Sequence, residues 1–324
     1  MSLSFNQKLT FLILPLLTAF LALFIGRYHI EPAMVITLLS HPHISPNSDQ
    51  IVLLQLRLPR IILALLIGSG LAGSGATVQG IFNNPLVSPH ILGVAAGAGL
   101  GGVLGLLFNL PPSIIVLLGF TTGLMAMGIT TTIAGGRHAR PLKLVLAGII
   151  VSTFATALIS GIKLLADPYD QLPNMVWWLM GSLSQATWPK VFIASPILIG
   201  LLLLFILRWQ LNLISLGSNQ SFTNPRQQYR LRWLLLVTVT SITAIAVALT
   251  GIIGWIGLVI PHIARLFVGT NYRVLIPACI SLGATYLIIT DTLARSLTAQ
   301  EIPVGIITAL IGAVIFAWLL IRKT

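Results

Sequence analysis

Charge is the scarcest property of this sequence. Of its 324 residues, 7% are charged and 56% are hydrophobic, and the mean hydropathy is +0.99. A water-soluble chain carries about 25% charged residues, which cover its surface. Apolar runs recur along the whole chain, and each is long enough to cross the ~30 Å hydrocarbon core as a helix. The sequence therefore predicts an all-α, polytopic membrane protein, with residues 1–324 as a single transmembrane domain.

The sequence also lacks the motifs of the common catalytic and nucleotide sites. It contains no GxxxxGK[ST] loop, no HExxH and no GxSxG, so we predict no catalytic residue, cofactor or enzymatic activity. The single cysteine, Cys279, excludes an internal disulfide and a thiolate metal cluster. His41 and His43 are a weak signal for a metal, and we predict no metal site. His262, which follows Pro261, is expected to be a hydrogen-bonded histidine.

Ten apolar segments are candidate membrane spans. The eighth is short, and we expect a broken or partly embedded helix there, which a membrane accepts only inside a protein bundle. The first lacks the small-residue cleavage site of a signal peptide, so we expect it to be kept as a helix. The spans are residues 9–27, 60–80, 91–108, 114–134, 144–165, 190–208, 233–250, 256–269, 274–294 and 302–321.

The distribution of charge predicts how the spans are oriented. With the N-terminus inside, inner segments carry 12 of the 18 Lys and Arg residues, and all six acidic residues lie in outer loops or near outer helix ends. The positive-inside rule therefore predicts that both termini are cytoplasmic. Basic charge on the inner face meets anionic membrane lipid, so the net charge of +12 gives no reason to expect nucleic-acid binding.

The span interiors contain no ionisable residue at mid-membrane. Ion-coupled transporters usually keep such residues there, so their scarcity favours energy supplied from outside this chain. Asp291 and Arg295 lie four residues apart near the outer end of span nine and can pair on one helix face. An ion-coupled transporter or channel remains an alternative, as does an intramembrane enzyme built around His262.

Span two carries Gly68, Gly70, Gly73, Gly75 and Gly80 among other small residues, and glycines four residues apart follow in spans three and four. Gly97, Gly101 and Gly105 are an example in span three, and Gly119 and Gly123 continue the pattern in span four. Small residues at this spacing let helix backbones approach closely in lipid. The glycine faces either pack tightly or line a path that moves during gating, and the sequence leaves both interpretations open.

Three segments interrupt the apolar pattern. Residues 28–56 are expected to form a long outer loop rich in Pro and His. Residues 166–189 contain three tryptophans, which favour the membrane interface, so we expect a short helix at the outer surface there. Residues 208–232 are polar and basic, and we expect this largest inner loop to dock a cytoplasmic partner.

Motifs along most of the chain resemble those of FecCD-type permeases, the membrane subunits of ABC importers for iron–siderophores, haem, vitamin B12 and, in some members, molybdate. The resemblance runs from residue 57 nearly to the C-terminus in the order and spacing of that family. The matching residues are Arg57-Leu58-Pro59-Arg60, Gly68, Gly70, Gly75, Gln79, Asn84-Pro85-Leu86, Leu92-Gly93, Gly97-Ala98-Gly99, Trp178 to Ser182, Leu216-Gly217, Gly254 to Arg265, Asp291, Leu293 to Arg295, Glu301 to Gly305 and Gly312.

This resemblance implies a type II ABC importer permease with about ten helices per subunit, in the bacterial cytoplasmic membrane. It implies a homodimer around a central translocation path, two cytoplasmic ATPase subunits, and a periplasmic or surface-anchored solute-binding protein. In the vitamin B12 member, arginines matching Arg57, Arg60 and Arg295 meet acidic residues on the binding protein. The resemblance thus implies docking there, whereas the residues alone favour arginines that snorkel from a helix end.

The resemblance also implies two sites on the inner side. Asn84 and Leu86 match the cytoplasmic gate of the family, and Pro141 and Leu142 match its second element less closely. Asn-Pro is equally a good turn former, so a plain tight turn remains an alternative at residue 84.

Residues 208–232 match the coupling region that contacts the ATPase. Its expected contacts include Leu216 and Gly217. The chain then has Asn224 and Pro225 where the family repeats Leu-Gly, and proline disfavours helix at the residue before it.

Overall fold

Helices account for the regular structure of the chain. A computed structural model describes residues 5–41, 48–136, 139–215, 225–298 and 300–322, and this part of the chain contains no β-strand. The α-helices are α1 Phe5–Phe24, α2 Pro32–Ser40, α3 Ser48–Gln50, α4 Leu58–Phe82, α5 Val94–Leu107, α6 Pro112–Ile133, α7 Pro141–Leu165, α8 Gln171–Leu179, α9 Trp188–Ala194, α10 Pro196–Ser215, α11 Pro225–Thr250, α12 Ile256–Val268, α13 Tyr272–Ser296 and α14 Val304–Arg322. A π-helical segment, Ile51–Arg57, joins α3 to α4, and a 3₁₀ turn, Pro89–Leu92, precedes α5.

Each of the ten predicted spans coincides with a helix, and the all-α fold class is confirmed. Six helical segments are long and apolar enough to cross a membrane by length and composition. The remaining four contain shorter apolar helices, so the count of ten spans is approximate. The eighth is short as predicted, since the 13 residues of α12 rise only ~20 Å.

The two largest predicted loops are shorter than expected. The segment 28–56 contains α2, and its last residues are already helical and lead into α4. The segment 208–232 is reduced at both ends, because α10 extends to Ser215 and α11 begins at Pro225. In segment 208–232 polar residues such as Arg and Gln continue both helices beyond their apolar parts. In segment 28–56 the helical stretches are apolar but too short to span a membrane.

Helix α4 is the centre of the bundle, and glycines let its neighbours touch its backbone. A Cβ at Gly68 would lie 2.3 Å from the carbonyl oxygen of Gly283 in α13. A Cβ at Gly75 would lie 2.0 Å from the carbonyl oxygen of Gly257 in α12. Both distances are far below van der Waals contact, so only glycine fits. The predicted close approach of helices at these residues is confirmed.

Helices α5 and α6 form a second close pair. A Cβ at Gly101 would lie 2.5 Å from the carbonyl oxygen of Leu118, and one at Gly97 would lie 2.4 Å from the Cβ of Ala126. The spacing of four thus places the small residues of α5 against α6.

The bundle has two ends that differ in their charged side chains. The acidic end holds the start of α4 and the end of α13, with Asp291 and Glu301. The basic end holds the turn after α4 and the start of α13, with Arg265 and Arg273. They correspond to the predicted outer and inner sides.

We expect Gly75→Ala to destabilise the protein by about 1–3 kcal/mol or more, because the new methyl group collides with backbone that cannot move aside. Thermal unfolding in detergent measures the effect. Gly128→Ala in α6 is the matched control, since nothing lies within 4 Å of a Cβ there. Equal melting temperatures for the two variants would contradict the close packing of α4 on α12.

Candidate functional site

The three arginines predicted for docking lie together at the acidic end. Arg57 ends the π-helical segment, Arg60 is in the first turn of α4, and Arg295 is in the last turn of α13. Their exposed fractions are 4%, 7% and 6%. The guanidinium groups therefore point into the protein, and their contacts are with other parts of the same chain.

Arg60 holds two acidic residues at once. Its Nε donates to both carboxylate oxygens of Asp291, at 3.0 and 2.9 Å, and its Nη1 donates to Oε2 of Glu301 at 2.8 Å. The Asp291 side chain is 3% exposed and that of Glu301 is 35% exposed. Arg60 thus joins the start of α4 to the end of α13 and to the connection that follows it.

Arg57 and Arg295 bind the end of α1. Arg57 donates from Nη1 to the carbonyl of Leu23, at 2.6 Å, and from Nη2 to the carbonyl of Tyr28. Arg295 donates from Nη2 to the carbonyl of Ala22. The last carbonyls of a helix have no partner within the helix and carry its partial negative charge, so two cations stabilise this end.

The predicted pair between Asp291 and Arg295 is replaced by a different one. Within the described ranges, the salt bridges are Arg60–Asp291 and Arg60–Glu301. Asp291 is buried and uses both oxygens on Arg60, and Arg295 is directed to α1 instead. Its Nε is buried without a hydrogen-bond partner, as is the Nη2 of Arg60. The cluster has three cations and two anions, and two of its guanidinium nitrogens are without a hydrogen-bond partner.

The predicted gate residues lie at the basic end. Asn83 ends α4 in the left-handed conformation, with φ 48°, and the Asn84 side chain accepts a hydrogen bond from the Leu86 amide at 2.9 Å. This is the tight turn that Asn-Pro favours. The turn also presents Leu86 at 58% exposure, and Leu142 in the first turn of α7 is 69% exposed.

Helix α7 packs on the 3₁₀ turn Pro89–Leu92, which follows the Asn84 turn in sequence. A Cβ at Gly148 would lie 2.0 Å from the carbonyl oxygen of Ile91 in the 3₁₀ turn. Pro141 is the first residue of the same helix. The helix that carries Pro141 and Leu142 thus contacts the segment that follows the Asn84 turn, and Leu86 and Leu142 are both exposed.

A polar cavity of about 680 Å³ lies beside the turn. Its lining includes Gln79, Asn84, Arg265 and Tyr272. Gln79 is 1% exposed, and neither atom of its amide group has a hydrogen-bond partner. A buried, unsatisfied amide is costly, so this cavity suits a polar occupant. Sequence reasoning placed Gln79 in a motif without assigning it a contact.

The predicted ATPase contacts fall largely outside the described residues. This applies to Leu216, Gly217 and Asn224. Pro225 begins α11, where its fixed φ and missing N–H are tolerated.

Two motif segments and the end of α11 meet through glycines, although they lie far apart in sequence. Gly181 follows α8, Gly251 follows α11 and Gly305 is the second residue of α14. The Ser182 amide donates to the Thr250 carbonyl at 2.8 Å, and the Gly305 amide donates to the Gly181 carbonyl at 3.1 Å. A Cβ at Gly251 would lie 1.9 Å from the carbonyl oxygen of Trp178. These glycines are thus required by packing.

His262 is hydrogen-bonded as expected, but it lies inside α12 rather than at the start of a helix. Its Nδ1 lies 3.0 Å from the Leu258 carbonyl oxygen, and its ring packs edge-to-face on Phe316 at 5.4 Å between centroids. No group of three or more metal-binding side chains occurs among the residues that the structure describes.

The fold is that of a multi-pass α-helical membrane protein, and comparison with known proteins places it in a family. The model of the FecCD transport family matches residues 13–322. The chain belongs to this family.

Individual relatives agree with this membership. The molybdate import system permease protein of Haemophilus influenzae is 39% identical over 319 residues, which cover 96% of this chain and 94% of the relative. The hemin transport system permease protein of Yersinia pestis is 38% identical and covers 83% of each chain. A solved structure, described as an inward-facing conformation of a metal-chelate type ABC transporter, is 38% identical with a TM-score of 0.88, and the match covers 98% of this chain and 99% of that one.

We expect Asp291→Asn to destabilise the protein by about 3–5 kcal/mol, because it leaves the buried Arg60 charge largely uncompensated. Glu301→Gln is the matched control and should cost less than about 1 kcal/mol, since Glu301 is partly exposed to water. Chemical unfolding in detergent measures both. Replacing the pair together, with Arg60→Met and Asp291→Leu, should be milder than Asp291→Asn alone. Equal losses for Asp291→Asn and Glu301→Gln would refute this account.

Proposed function

We propose that this protein is the membrane-spanning permease subunit of a binding-protein-dependent ABC importer. Membership of the FecCD transport family, over residues 13–322, is the observation that carries the proposal. The sequence has no GxxxxGK[ST] loop and no acid at mid-membrane, so ATP hydrolysis in a partner subunit supplies the energy. The permease itself performs no covalent chemistry.

The working unit is a homodimer in the bacterial cytoplasmic membrane, with both termini in the cytoplasm. Two ATPase subunits dock at the basic end, and one solute-binding protein docks at the acidic end. The positive-inside rule supports this orientation, because the basic end carries the excess of Lys and Arg. ATP binding opens the dimer outward to a loaded binding protein, and hydrolysis resets it.

The solute is a metal chelate, such as an iron–siderophore, haem or cobalamin, or a molybdate-type oxyanion. The two relatives named for molybdate and hemin are 39% and 38% identical to this chain. Sequence identity therefore does not distinguish an oxyanion from a metal chelate as the solute. The glycine-rich helices of the bundle offer few polar groups that could recognise a solute. Selectivity therefore resides in the binding protein, and direct binding of each candidate solute to that protein distinguishes them.

Docking at the acidic end proceeds by exchange of carboxylates. Arg57, Arg60 and Arg295 are buried, so an acidic side chain of the binding protein first meets Glu301, the most exposed member of the cluster. When Glu301 swings away, Arg60 presents Nη1 together with its unpartnered Nη2. A bidentate contact with one partner carboxylate then becomes possible.

The basic end contains the gate and the coupling contact. Asn84 and Leu86 in the turn after α4, with Pro141 and Leu142 at the start of α7, close the path on the cytoplasmic side. The ATPase couples through Leu216, Gly217, Asn224 and Pro225. The exposed apolar tips of Leu86 and Leu142 support a gate that is completed by the second protomer.

Proteoliposomes containing this chain, its ATPase and its binding protein are expected to take up solute only with ATP. Cysteines at Leu86 or Leu142, cross-linked between protomers, should block that uptake, and buried Cys279 contributes little background reaction. Uptake driven by an ion gradient without the ATPase would overturn the proposal in favour of a secondary transporter or channel.

The exchange of carboxylates predicts opposite effects at two neighbouring residues. Arg60→Gln should slow capture of the binding protein, and Glu301→Gln should speed it, because Arg60 is then held less tightly. Charge pairs at an interface act mainly on association, so about tenfold changes in association rate, reduced by salt, are expected. Stopped-flow or surface binding kinetics measure them. Lys163→Gln removes one positive charge from the same side, away from the cluster, and should leave the rate unchanged. Slower capture by Glu301→Gln would contradict the exchange.

A further inference from the structure

We propose that a groove between α1, α4, α10 and α13 binds one phospholipid with an anionic headgroup. The groove has a volume of about 710 Å³, within the range of specific small-molecule sites, about 300–1,000 Å³. Its walls are mostly apolar, and it ends at two arginines. A phospholipid combines the two features that fit this groove, an apolar acyl chain and an anionic phosphate group.

The apolar part of the groove is open to the membrane. Leu12 and Leu16 of α1 are 65% and 61% exposed, and Phe205 of α10 is 42% exposed. Pro277 and Ala284 of α13 form the opposite wall. Helices α4, α10 and α13 are among the six segments long and apolar enough to cross a membrane, and α1 is a shorter apolar helix, so we expect the groove to face lipid.

The charged part of the groove consists of Arg208 and Arg273. The Arg208 guanidinium lies 3.6 Å from the centroid of the Phe205 ring, and that of Arg273 lies 4.1 Å from the Trp209 ring. Stacking on aromatic rings fixes the planes of both groups and leaves their N–H edges available. Both arginines line the same groove, so their two positive charges are presented to one site.

Among the residues that the structure describes, no Asp or Glu side chain forms a salt bridge with Arg208 or Arg273. The six Asp and Glu residues all belong to the predicted outer segments, and none occurs between Asp170 and Asp291 in sequence. The two acids nearest to α13 in sequence, Asp291 and Glu301, are both held by Arg60 at the acidic end. A pair of like charges without such a salt bridge favours an anion from outside, and a phosphodiester offers oxygens to both guanidinium groups.

One buried hydroxyl group adds to the case. Ser281 lines the groove at 6% exposure, and its Oγ has no hydrogen-bond partner. An unsatisfied hydroxyl is unfavourable against an acyl chain alone. The ester or glycerol oxygens of a phospholipid provide an acceptor for it, whereas a plain hydrocarbon does not.

Charge favours a lipid over a second copy of this chain. A symmetric dimer through this groove would place the same patch on both subunits, which brings four arginines together without an acid. A phospholipid neutralises the pair and continues along the apolar wall. Arginines near the cytoplasmic surface attract anionic lipids for the same electrostatic reason.

Native mass spectrometry of the purified protein tests the site with phosphatidylglycerol and with phosphatidylcholine of the same acyl chains. The wild type should retain phosphatidylglycerol about tenfold to thirtyfold better, because two arginines contribute. The double variant Arg208→Gln/Arg273→Gln should lose this preference. Arg226→Gln/Arg230→Gln is the matched control, since it removes the same charge from the predicted inner side outside the groove, and it should keep the preference.

Two further variants keep the test decisive if the glutamine variant folds poorly. Arg208→Lys/Arg273→Lys retains the charge and should retain most of the preference. Ser281→Leu fills the groove and removes an unpartnered hydroxyl, so it should reduce binding of both lipids while size-exclusion behaviour stays normal.

Three outcomes would overturn the proposal. The first is equal retention of the two lipids by the wild type, or an unchanged preference in Arg208→Gln/Arg273→Gln. The second is displacement of the lipid by inorganic phosphate alone, which would indicate a free-anion site. The third is a change of oligomeric state in the arginine variants, which would indicate that a second copy of the chain occupies the groove.

Discussion

Backbone contact between α4 and its neighbours is the constraint on which the rest of the structure depends. In lipid, burying apolar side chains gives little drive for helices to associate, so close packing must supply it. Gly68 and Gly75 place the carbonyl oxygens of Gly283 and Gly257 within reach of the α4 backbone. Helices α12 and α13 are thereby held against one side of α4, and both ends of the bundle are built on these three helices.

The charged cluster at the acidic end follows from this arrangement. Because α4 and α13 are held together along their length, Arg60 and Asp291 meet although 231 positions separate them in sequence. Their pairing satisfies charges that would otherwise be buried alone, and Arg57 and Arg295 extend the cluster to the last carbonyls of α1. One group of side chains thus ties together α1, α4 and α13 at the end where a partner protein is proposed to dock.

Sequence reasoning found the helices, but it missed some helix ends and the partner of Asp291. Hydropathy found all ten helical segments, since the bilayer imposes length and composition on each span. It missed helix in segment 208–232, where polar residues continue helices beyond the apolar region, and in segment 28–56, where the apolar helical stretches are shorter than a membrane span. The four-residue spacing suggested that Asp291 can pair with Arg295, because neighbours along one helix are visible in sequence. The actual partner, Arg60, depends on a contact between two helices that no local pattern reveals.

The burial of the three arginines constrains the docking proposed for this surface. An exposed arginine would offer a permanent positive charge to any acidic protein, whereas Arg60 is already neutralised by Asp291 and Glu301. Docking by exchange makes capture depend on a partner that can both displace Glu301 and replace its hydrogen bond. In the proposed exchange, Asp291 stays in place and keeps α4 attached to α13. Under that proposal the exposed acid covers Arg60 until a partner displaces it, and the buried acid preserves the fold meanwhile.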